Sequence, residues 1–252
     1  MRNKLISIVT ANFNSQRFIF DTYSSIANQS YKNWEWLVTD DCSSDGSFEI
    51  LKSISYKDKR VKLFKNSSNL GAAISRNRSI TEARGRFLAF IDADDLWAPD
   101  KLEKQSSFML SSRSGLSFTT YKIISESGED KHKEIDRKAP STINYHDLLS
   151  KKATFGCSTV MIDKNIIGLI NMPNIRTGQD YATWLSILKN GVVAYLLKDP
   201  LTSYRVVSGS ISRNKFKKAF RQWEIYRSHE KLSVFSSIYY FACYAFRAFF
   251  RN

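Results

Sequence analysis

The chain has 252 residues, a formal net charge of +14 at pH 7, and a composition that is 42% hydrophobic with four prolines and ten glycines. This length and composition suit one substantial hydrophobic core and exclude a disordered chain. The excess of positive charge predicts an anionic partner, which is a nucleotide, a nucleic acid or an acidic lipid surface.

The first half of the sequence alternates between predicted strands and predicted helices. Ser15 is placed to cap the first helix. The order β-α-β-α-β-α-β, repeated at about thirty residues per unit, predicts a doubly wound and mostly parallel sheet. We expect strands at residues 5–10, 34–39, 61–64 and 87–91, and helices at about 15–28, 48–55 and 72–83.

The second half of the sequence has a different pattern. Residues 125–138 are polar and predict a hairpin tip or a mobile loop. Because the early crossovers are helical and the later strands follow one another without them, we expect a parallel nucleotide-binding half joined to a mixed half. Further strands are expected at residues 117–124, 157–162, 192–197 and 201–207, with a helix at 181–188 that Gly191 ends.

Polar clusters follow three predicted strands, at residues 10–14, at 40–41 and at 92–95. Right-handed crossovers bring these clusters to one edge of the sheet, where ligands of open α/β sheets bind. No Gly-rich dinucleotide or P-loop motif follows the first strand, which disfavours both of those nucleotide sites.

Asp92 and Asp94 have an Asp-x-Asp spacing that suits a hard divalent cation. Mg²⁺ and Mn²⁺ are commonly held by one or two carboxylates together with substrate phosphates and water. On these residues alone, an acidic turn in which Asp95 caps a helix near Pro99 is an equal alternative.

Asp180 heads the helix at 181–188 and has two interpretations, a helix N-cap or a catalytic base facing a substrate. From the residues alone the N-cap is favoured. Arg76 also has two interpretations, a residue that binds a substrate or a solvated side chain on a helix face. Asp40 and Asp41 have a further interpretation as typical turn residues.

Taken in order, these segments resemble the family 2 glycosyltransferases, which have the GT-A fold. The resemblance covers roughly residues 5–212. Within the family, the sequence of the motifs and of the tail is similar to that of bacterial enzymes that build O-antigen, capsule or teichuronic-acid-type polymers. It rests on Val9-Thr10-Ala11-Asn12-Phe13-Asn14, Asp40-Asp41-Cys42-Ser43-Ser44-Asp45-Gly46, Asn69-Leu70-Gly71 with Arg76-Asn77, Asp92-Ala93-Asp94-Asp95, and Gln179-Asp180 before a Trp-containing helix.

The resemblance implies a metal-dependent hexosyltransferase that uses Mn²⁺ or Mg²⁺. Its expected donor is a nucleotide sugar, in particular a UDP-sugar, and its expected acceptor is a polysaccharide or a lipid-linked saccharide. Only one base candidate is visible, so we expect a single displacement with inversion. The resemblance places Thr10, Asn14, Asp41, Arg76, Asp92 and Ala93 at the donor, Asp94 and Asp92 at the metal, and Asp180 as the general base.

Three positions depart from the family pattern. Ala11 stands where many members have Pro, and Gln179 stands where many have an acidic residue. Some members carry a His after the Tyr204-Arg205 pair, whereas this chain continues with Val206, so a third metal ligand from that loop stays open.

The tail after residue 212 is rich in basic and aromatic residues. Its charge-free run at 232–246 is shorter than the roughly 20 apolar residues of a membrane-spanning helix. We expect a helical tail on an anionic membrane surface, with packing onto the catalytic domain or a dimer contact as alternatives. The expected division is a GT-A domain at 1–212, with halves at about 1–97 and 98–212, and a tail at 213–252.

The expected location is the cytoplasm, with the protein held peripherally on the inner face of the cell membrane. Cys42, Cys157 and Cys243 lie far apart without metal-ligand spacing, which is typical of a reducing compartment. No long apolar segment precedes the first strand, so we expect no signal peptide.

Two other functions compete with the glycosyltransferase. A sugar nucleotidyltransferase would also use acidic metal ligands, but it would carry a Gly-rich basic loop after the first strand. A basic nucleic-acid-binding protein would spread its charge over one face of the fold, whereas here the charge is heaviest in the tail. We therefore expect no nucleic-acid partner.

Overall fold

A single sheet of ten strands forms the centre of the computed structural model, which describes residues 4–207 and 215–250. Its strands are β1 (Ile6–Asn12), β2 (Trp34–Asp40), β3 (Val61–Lys65), β4 (Phe87–Phe90), β5 (Leu96–Trp97), β6 (Leu116–Ile124), β7 (Asp130–Ile135), β8 (Thr142–Ile143), β9 (Met161–Asp163) and β10 (Ala194–Arg205).

Helices cover both faces of the sheet and also form the tail. A 3-10 turn at Cys157–Thr159 and a π-helical segment at Ile225–His229 complete the helical elements of the described residues. The α-helices are α1 (Ile19–Ala27), α2 (Ser47–Lys57), α3 (Ala72–Thr81), α4 (Lys101–Ser112), α5 (Tyr145–Leu149), α6 (Lys164–Ile167), α7 (Gln179–Lys189), α8 (Lys215–Glu224) and α9 (Val234–Phe250).

The sheet order β3-β2-β1-β4-β9-β6-β10-β5 separates a parallel part from a mixed part. Strands β3, β2, β1 and β4 are all parallel. Strand β9 then runs antiparallel to both β4 and β6, while β10 runs parallel to β6. This confirms the expected parallel half joined to a mixed half. The sheet runs without interruption through the boundary near residue 97, and the division into domains stays a prediction.

Side-chain alternation along the central strands builds a core on each face of the sheet. Ile8 of β1 and Ala89 of β4 belong to the core that α1, α2 and α4 cover. Val9 and Phe90, the next residues of the same strands, belong to the core that α3 and α7 cover. Successive residues of a strand point to opposite faces, so one short apolar run supplies both cores.

Four predictions of local structure need correction. Helix α1 begins at Ile19 and Ser15 does not cap it, because the Ser15 hydroxyl donates to the Asn12 side chain instead. The strand predicted from residue 157 begins only at Met161, after the 3-10 turn. The two strands predicted around Pro200 form the single strand β10, which absorbs the proline through register irregularities. The stretch at 125–138 contains β7, so the hairpin interpretation is right and the mobile loop is not.

The tail packs partly onto the mixed half. Tyr226 is fully buried in the core of that half, and its hydroxyl donates to the Leu149 carbonyl oxygen at 2.6 Å. Glu230 is also buried, and it accepts from the Tyr145 hydroxyl and pairs with Lys189 at 3.1 Å. Among the described residues, no helix is both long enough and apolar enough to cross a membrane.

Candidate active site

A cleft of about 620 Å³ opens where β1 and β4 end. The start of α3 and the loop before α7 close its other sides. Among its lining residues are Ala11, Asn14, Arg76, Asp92, Ala93, Asp94, Thr177, Gly178 and Gln179. Strands β1 and β4 are parallel neighbours, so their carboxyl ends deliver residues from distant parts of the sequence to one place.

Arg76 of α3 is the buried cation of the cleft. Its Nη2 lies 2.5 Å from Asp92 Oδ1, and only 7% of its side chain is exposed. Its Nε and Nη1 are buried and have no hydrogen-bond partner among the described residues. Burial acts to lower the pKa of Arg76, but Cys157, Asp92 and Asp180, which carry or can take negative charge, raise it above its ordinary value.

Asp94 faces the cleft next to Asp92. Burial, and then the charge of Asp92, raise the pKa of Asp94 to about 6. A carboxylate with this environment favours a nearby cation that would offset both effects.

Asp95 has a structural environment. It is fully buried, and it accepts hydrogen bonds from the Ser158 hydroxyl and from the Arg205 backbone N–H at 2.9 Å. Burial, followed by the charges of Asp94 and Asp92, raises its pKa well above the ordinary value. The capping interpretation of Asp95 is wrong, because α4 begins at Lys101 with Asp100 at its N-cap.

The loop at 92–95 is held by three residues that the sequence interpretation missed. The Ser158 hydroxyl accepts from the Asp92 N–H at 3.0 Å, and Arg205 Nε donates to the Asp94 carbonyl oxygen at 2.8 Å. The Thr22 hydroxyl donates to the Ala93 carbonyl oxygen at 3.1 Å. The Tyr204-Arg205 pair was a signal for Arg205, but no local pattern marks Ser158 or Thr22.

Two of the residues that the family resemblance places at the sugar donor lie beside the cleft rather than in its lining. Thr10 is fully buried, and its hydroxyl donates to the Ile91 carbonyl oxygen and accepts from Trp36 Nε1, both at 2.9 Å. Asp41 accepts from the backbone N–H groups of Leu70 at 2.9 Å and Gly71 at 2.8 Å, directly before α3. Both side chains therefore shape the edge of the site, and their contact with a donor stays a prediction.

Asn14 stands at the mouth of the cleft in a left-handed backbone conformation with φ of 49°. Its Oδ1 accepts from the Ser44 N–H at 2.9 Å, which joins the loop after β1 to the loop after β2. Asn14, Arg76, Asp92, Ala93 and Asp94 thus line one cleft, as the motif pattern predicts, while their individual roles remain untested.

Asp180 lies in the first turn of α7, one residue beyond the helix start. The N-cap of α7 is Gly178, in a left-handed conformation, and no side chain caps the helix. The N-cap interpretation of Asp180 is therefore wrong. Within the described residues its carboxylate forms no hydrogen bond or ion pair, and its charge contributes to the raised pKa of Arg76. Its neighbour Gln179 lines the cleft, whereas Asp180 is not among the lining residues, and its role stays a prediction.

The sequence profile of Glycosyl transferase family 2 matches residues 7–168, which include the part of the cleft lining from β1, α3 and the loop after β4 but not the loop before α7. The chain belongs to Glycosyl transferase family 2. It is 43% identical, over 96% of its length and 94% of the relative's, to the putative teichuronic acid biosynthesis glycosyltransferase TuaG of Bacillus subtilis (strain 168). It is 39% identical, over 89% of its length and 86% of the relative's, to the UDP-Glc:alpha-D-GlcNAc-diphosphoundecaprenol beta-1,3-glucosyltransferase WfgD of Escherichia coli.

Two solved structures share its architecture. S. aureus TarS 1-349 in complex with UDP-GlcNAc matches with a TM-score of 0.71 at 19% identity, over 89% of this chain and 64% of that one. The mannosyltransferase PcManGT from Pyrobaculum calidifontis, in complex with GDP-Man and Mn2+, matches with a TM-score of 0.69 at 16% identity, over 90% of this chain and 64% of that one. This chain therefore spans less than two thirds of either structure.

These likenesses confirm the expected GT-A fold, and the relatives confirm the expected family and a glycosyltransferase activity. Family membership decides against the sugar nucleotidyltransferase and the nucleic-acid-binding protein that the sequence left open.

Proposed function

We propose that this family 2 glycosyltransferase moves a sugar from a UDP-sugar to a lipid-linked saccharide of a cell-surface polysaccharide, with inversion at the anomeric carbon. The observation that carries the proposal is that Arg76 and the Asp92–Asp94 pair line one cleft, while Asp180 follows the lining residue Gln179 and acts on Arg76 through its charge. The names of TuaG and WfgD support the acceptor class, and the UDP-GlcNAc complex of TarS supports the donor class.

The donor's diphosphate fits beside Arg76. Arg76 Nε and Nη1 are buried and have no hydrogen-bond partner among the described residues. A buried N–H group without an acceptor lowers the stability of a protein. Phosphate oxygens would satisfy both, and hydrogen bonds between ions are stronger than those between neutral groups. Asp92 keeps the guanidinium oriented through its ion pair.

The acids of the cleft fit Mn²⁺ or Mg²⁺. Asp94 and Asp92 supply two neighbouring carboxylates, whereas Asp95 is occupied by Ser158 and Arg205. Among the described residues there is no cluster of three or more acidic, histidine or cysteine ligands. The donor set therefore suits an ion that completes its shell with phosphate oxygens and water. When bound, such an ion neutralises the leaving diphosphate.

Asp180 would act on the acceptor. As the acceptor oxygen forms its bond to the anomeric carbon, the bond from that carbon to the diphosphate oxygen breaks, and the hydroxyl proton passes to the Asp180 carboxylate. Asp92 is paired with Arg76 and Asp94 is assigned to the ion, which leaves Asp180 for this task. One displacement without a covalent sugar intermediate inverts the anomeric carbon.

The tail supports a contact with an anionic membrane surface. Phe235, Tyr239 and Phe246 of α9 are 86%, 62% and 64% exposed, and their spacing of four and seven places them along one helix face. Lys231 is exposed just before that helix. Aromatic side chains next to cations are typical of helices that lie at the surface of acidic membranes.

Vesicle sedimentation tests this contact. The double variant Phe235→Ser/Phe246→Ser should lose most of its binding to vesicles that contain phosphatidylglycerol, and salt should weaken wild-type binding. The control is Phe20→Ser, because Phe20 is 58% exposed on α1, outside the tail. Wild-type protein that ignores acidic vesicles would show that this face serves another purpose.

A donor assay tests the enzyme proposal. In the presence of Mn²⁺, wild type should hydrolyse a UDP-sugar slowly and should transfer its sugar to a lipid-linked acceptor. Excess EDTA should abolish both activities. Asp94→Asn should abolish transfer and sharply weaken donor binding. Asp199→Asn is the matched control, because Asp199 is a half-exposed surface partner of Lys104. Full activity of Asp94→Asn in excess EDTA would contradict the proposed role of the acids.

A further inference from the structure

A second cavity, of about 400 Å³, adjoins the cleft. It lies between the loop at 174–177 and the tail, whose α8 and π-helical segment contribute Arg221 and His229. It shares Arg176, Thr177 and Arg221 with the cleft, so the two cavities are neighbours along one surface. Its volume falls in the range of about 300–1,000 Å³ that is usual for small-ligand sites.

This cavity carries positive charge without matching carboxylates. Within residues 4–207 and 215–250, neither Arg176 nor Arg221 forms an ion pair, and Arg176 Nη1 donates to Asn69 Oδ1 at 2.8 Å. Glu224 is the one acid among the lining residues, and it is exposed and outside ion-pair distance of both arginines. Burial, and then the charge of Arg221, lower the pKa of the neighbouring Lys218. Such a site favours an anion.

The position of the cavity relates it to the acceptor rather than to the donor. A methyl group on Gly178 would lie 3.2 Å from Arg221 Cδ, so Arg221 packs against the residue two before Asp180. The same tail also carries the exposed aromatic residues of α9. An acceptor held by the tail would therefore meet Arg221 next to the start of the helix that carries Asp180.

We propose that this cavity binds the diphosphate group of a lipid-diphosphate-linked acceptor, with Arg176 and Arg221 as its ligands. The inference rests on the proposed function, because it assigns the acceptor's anion to the same enzyme. Arginine suits the task, since its planar fork pairs two phosphate oxygens at once. The sugar attached to the diphosphate would then lie on the cleft side, next to Asp180.

Equilibrium binding of farnesyl diphosphate tests the inference without knowledge of the acceptor sugar. The protein is first saturated with UDP and Mn²⁺, so that the donor part of the cleft is filled. Arg176→Gln and Arg221→Gln should each raise the Kd for farnesyl diphosphate by about tenfold to a hundredfold, the usual effect of losing a hydrogen bond to an ion. Farnesol, which lacks the diphosphate, should bind all variants equally.

Lys52→Gln is the matched control, because it removes the same charge from an exposed position of α2, outside the tail, and lines neither cavity. Arg221→Lys should keep part of the affinity for farnesyl diphosphate. Its melting temperature shows whether a weaker Kd comes from the lost guanidinium or from a destabilised protein. Unchanged Kd values in both glutamine variants, or binding that UDP abolishes, would overturn the inference. A failure of wild type to bind UDP or cleave UDP-sugars is a separate result that concerns the donor proposal alone.

Discussion

Buried Arg76 and partly exposed Asp92 form an ion pair in the lining of the cleft, with 2.5 Å between Nη2 and Oδ1. The pair joins α3 to the loop that follows β4, so Arg76 and Asp92 hold each other in position. It leaves Arg76 Nε and Nη1 without partners in the described structure, and we assign these two groups to the donor's phosphates.

Replacing Arg76 should therefore weaken donor binding. We expect Arg76→Gln to raise the Kd for UDP in the presence of Mn²⁺ by about tenfold to a hundredfold, as measured by calorimetry. Arg76→Lys should recover only part of the loss, because lysine keeps the charge and lacks the fork. Arg78→Gln, an exposed arginine of the same helix, should bind UDP normally. An unchanged Kd for Arg76→Gln would remove this residue from the donor site.

Gly178 lies at the start of α7 and packs against the tail. Its φ is +79°, and a methyl group there would lie 2.9 Å from Ile225 Cδ1 and 3.2 Å from Arg221 Cδ. Gly191 has a similar φ of +86° with no atom within 4 Å of the same methyl group. Both alanine variants carry the left-handed backbone cost of about 1–2 kcal/mol, and we expect Gly178→Ala to cost about 1 kcal/mol more through crowding. Urea unfolding of both measures the difference, and equal costs would mean that the tail does not press on α7.

Lys101 gives the protein a pH-dependent stability. It is fully buried behind Trp97, it donates to Gln105 Oε1 at 2.7 Å, and burial lowers its pKa from 10.5 to about 7. Between these two values the unfolded chain binds more protons than the folded protein, so the free energy of unfolding rises with pH.

The Lys101→Met variant isolates this effect. From pH 7 to pH 9 the free energy of unfolding of wild type should rise by about 2 kcal/mol relative to Lys101→Met, at a slope that stays below about 1.4 kcal/mol per pH unit. Urea unfolding of the two proteins at both pH values gives the comparison. Parallel pH profiles would show that Lys101 is charged in the folded protein.

The parallel half was predictable because its strands are largely apolar runs of four to seven residues between polar turns. The mixed half was less so. The sequence predicted two strands on either side of Pro200, yet β10 continues through this residue because a bulge can accommodate a residue that lacks an N–H. The turn at Cys157–Thr159 carries a strand-like sequence, and tertiary hydrogen bonds of Ser158 decide its shape.

The candidate site was likewise predictable from the sequence only in part. The Asp92-Ala93-Asp94 motif is local in sequence, so the pattern alone placed it at a strand end. Its supports come from far along the chain: Arg205 lies 110 residues from Asp95, and Ser158 lies 66 residues from Asp92. Periodicity also cannot tell which side of the tail packs inward, and burial of Tyr226 with exposure of Phe235 became visible only in the fold.

The rate of transfer by Asp180→Asn, measured together with its Kd for UDP, is the most direct test of the central claim that Asp180 is the base of this cleft. We expect kcat and kcat/KM to fall together by roughly 10²–10⁴, while the Kd for UDP and the melting temperature stay close to wild type. The N-cap of α7 is Gly178, so the substitution removes no helix cap. A stable Asp180→Asn protein with near-normal turnover would contradict the account and place the base elsewhere.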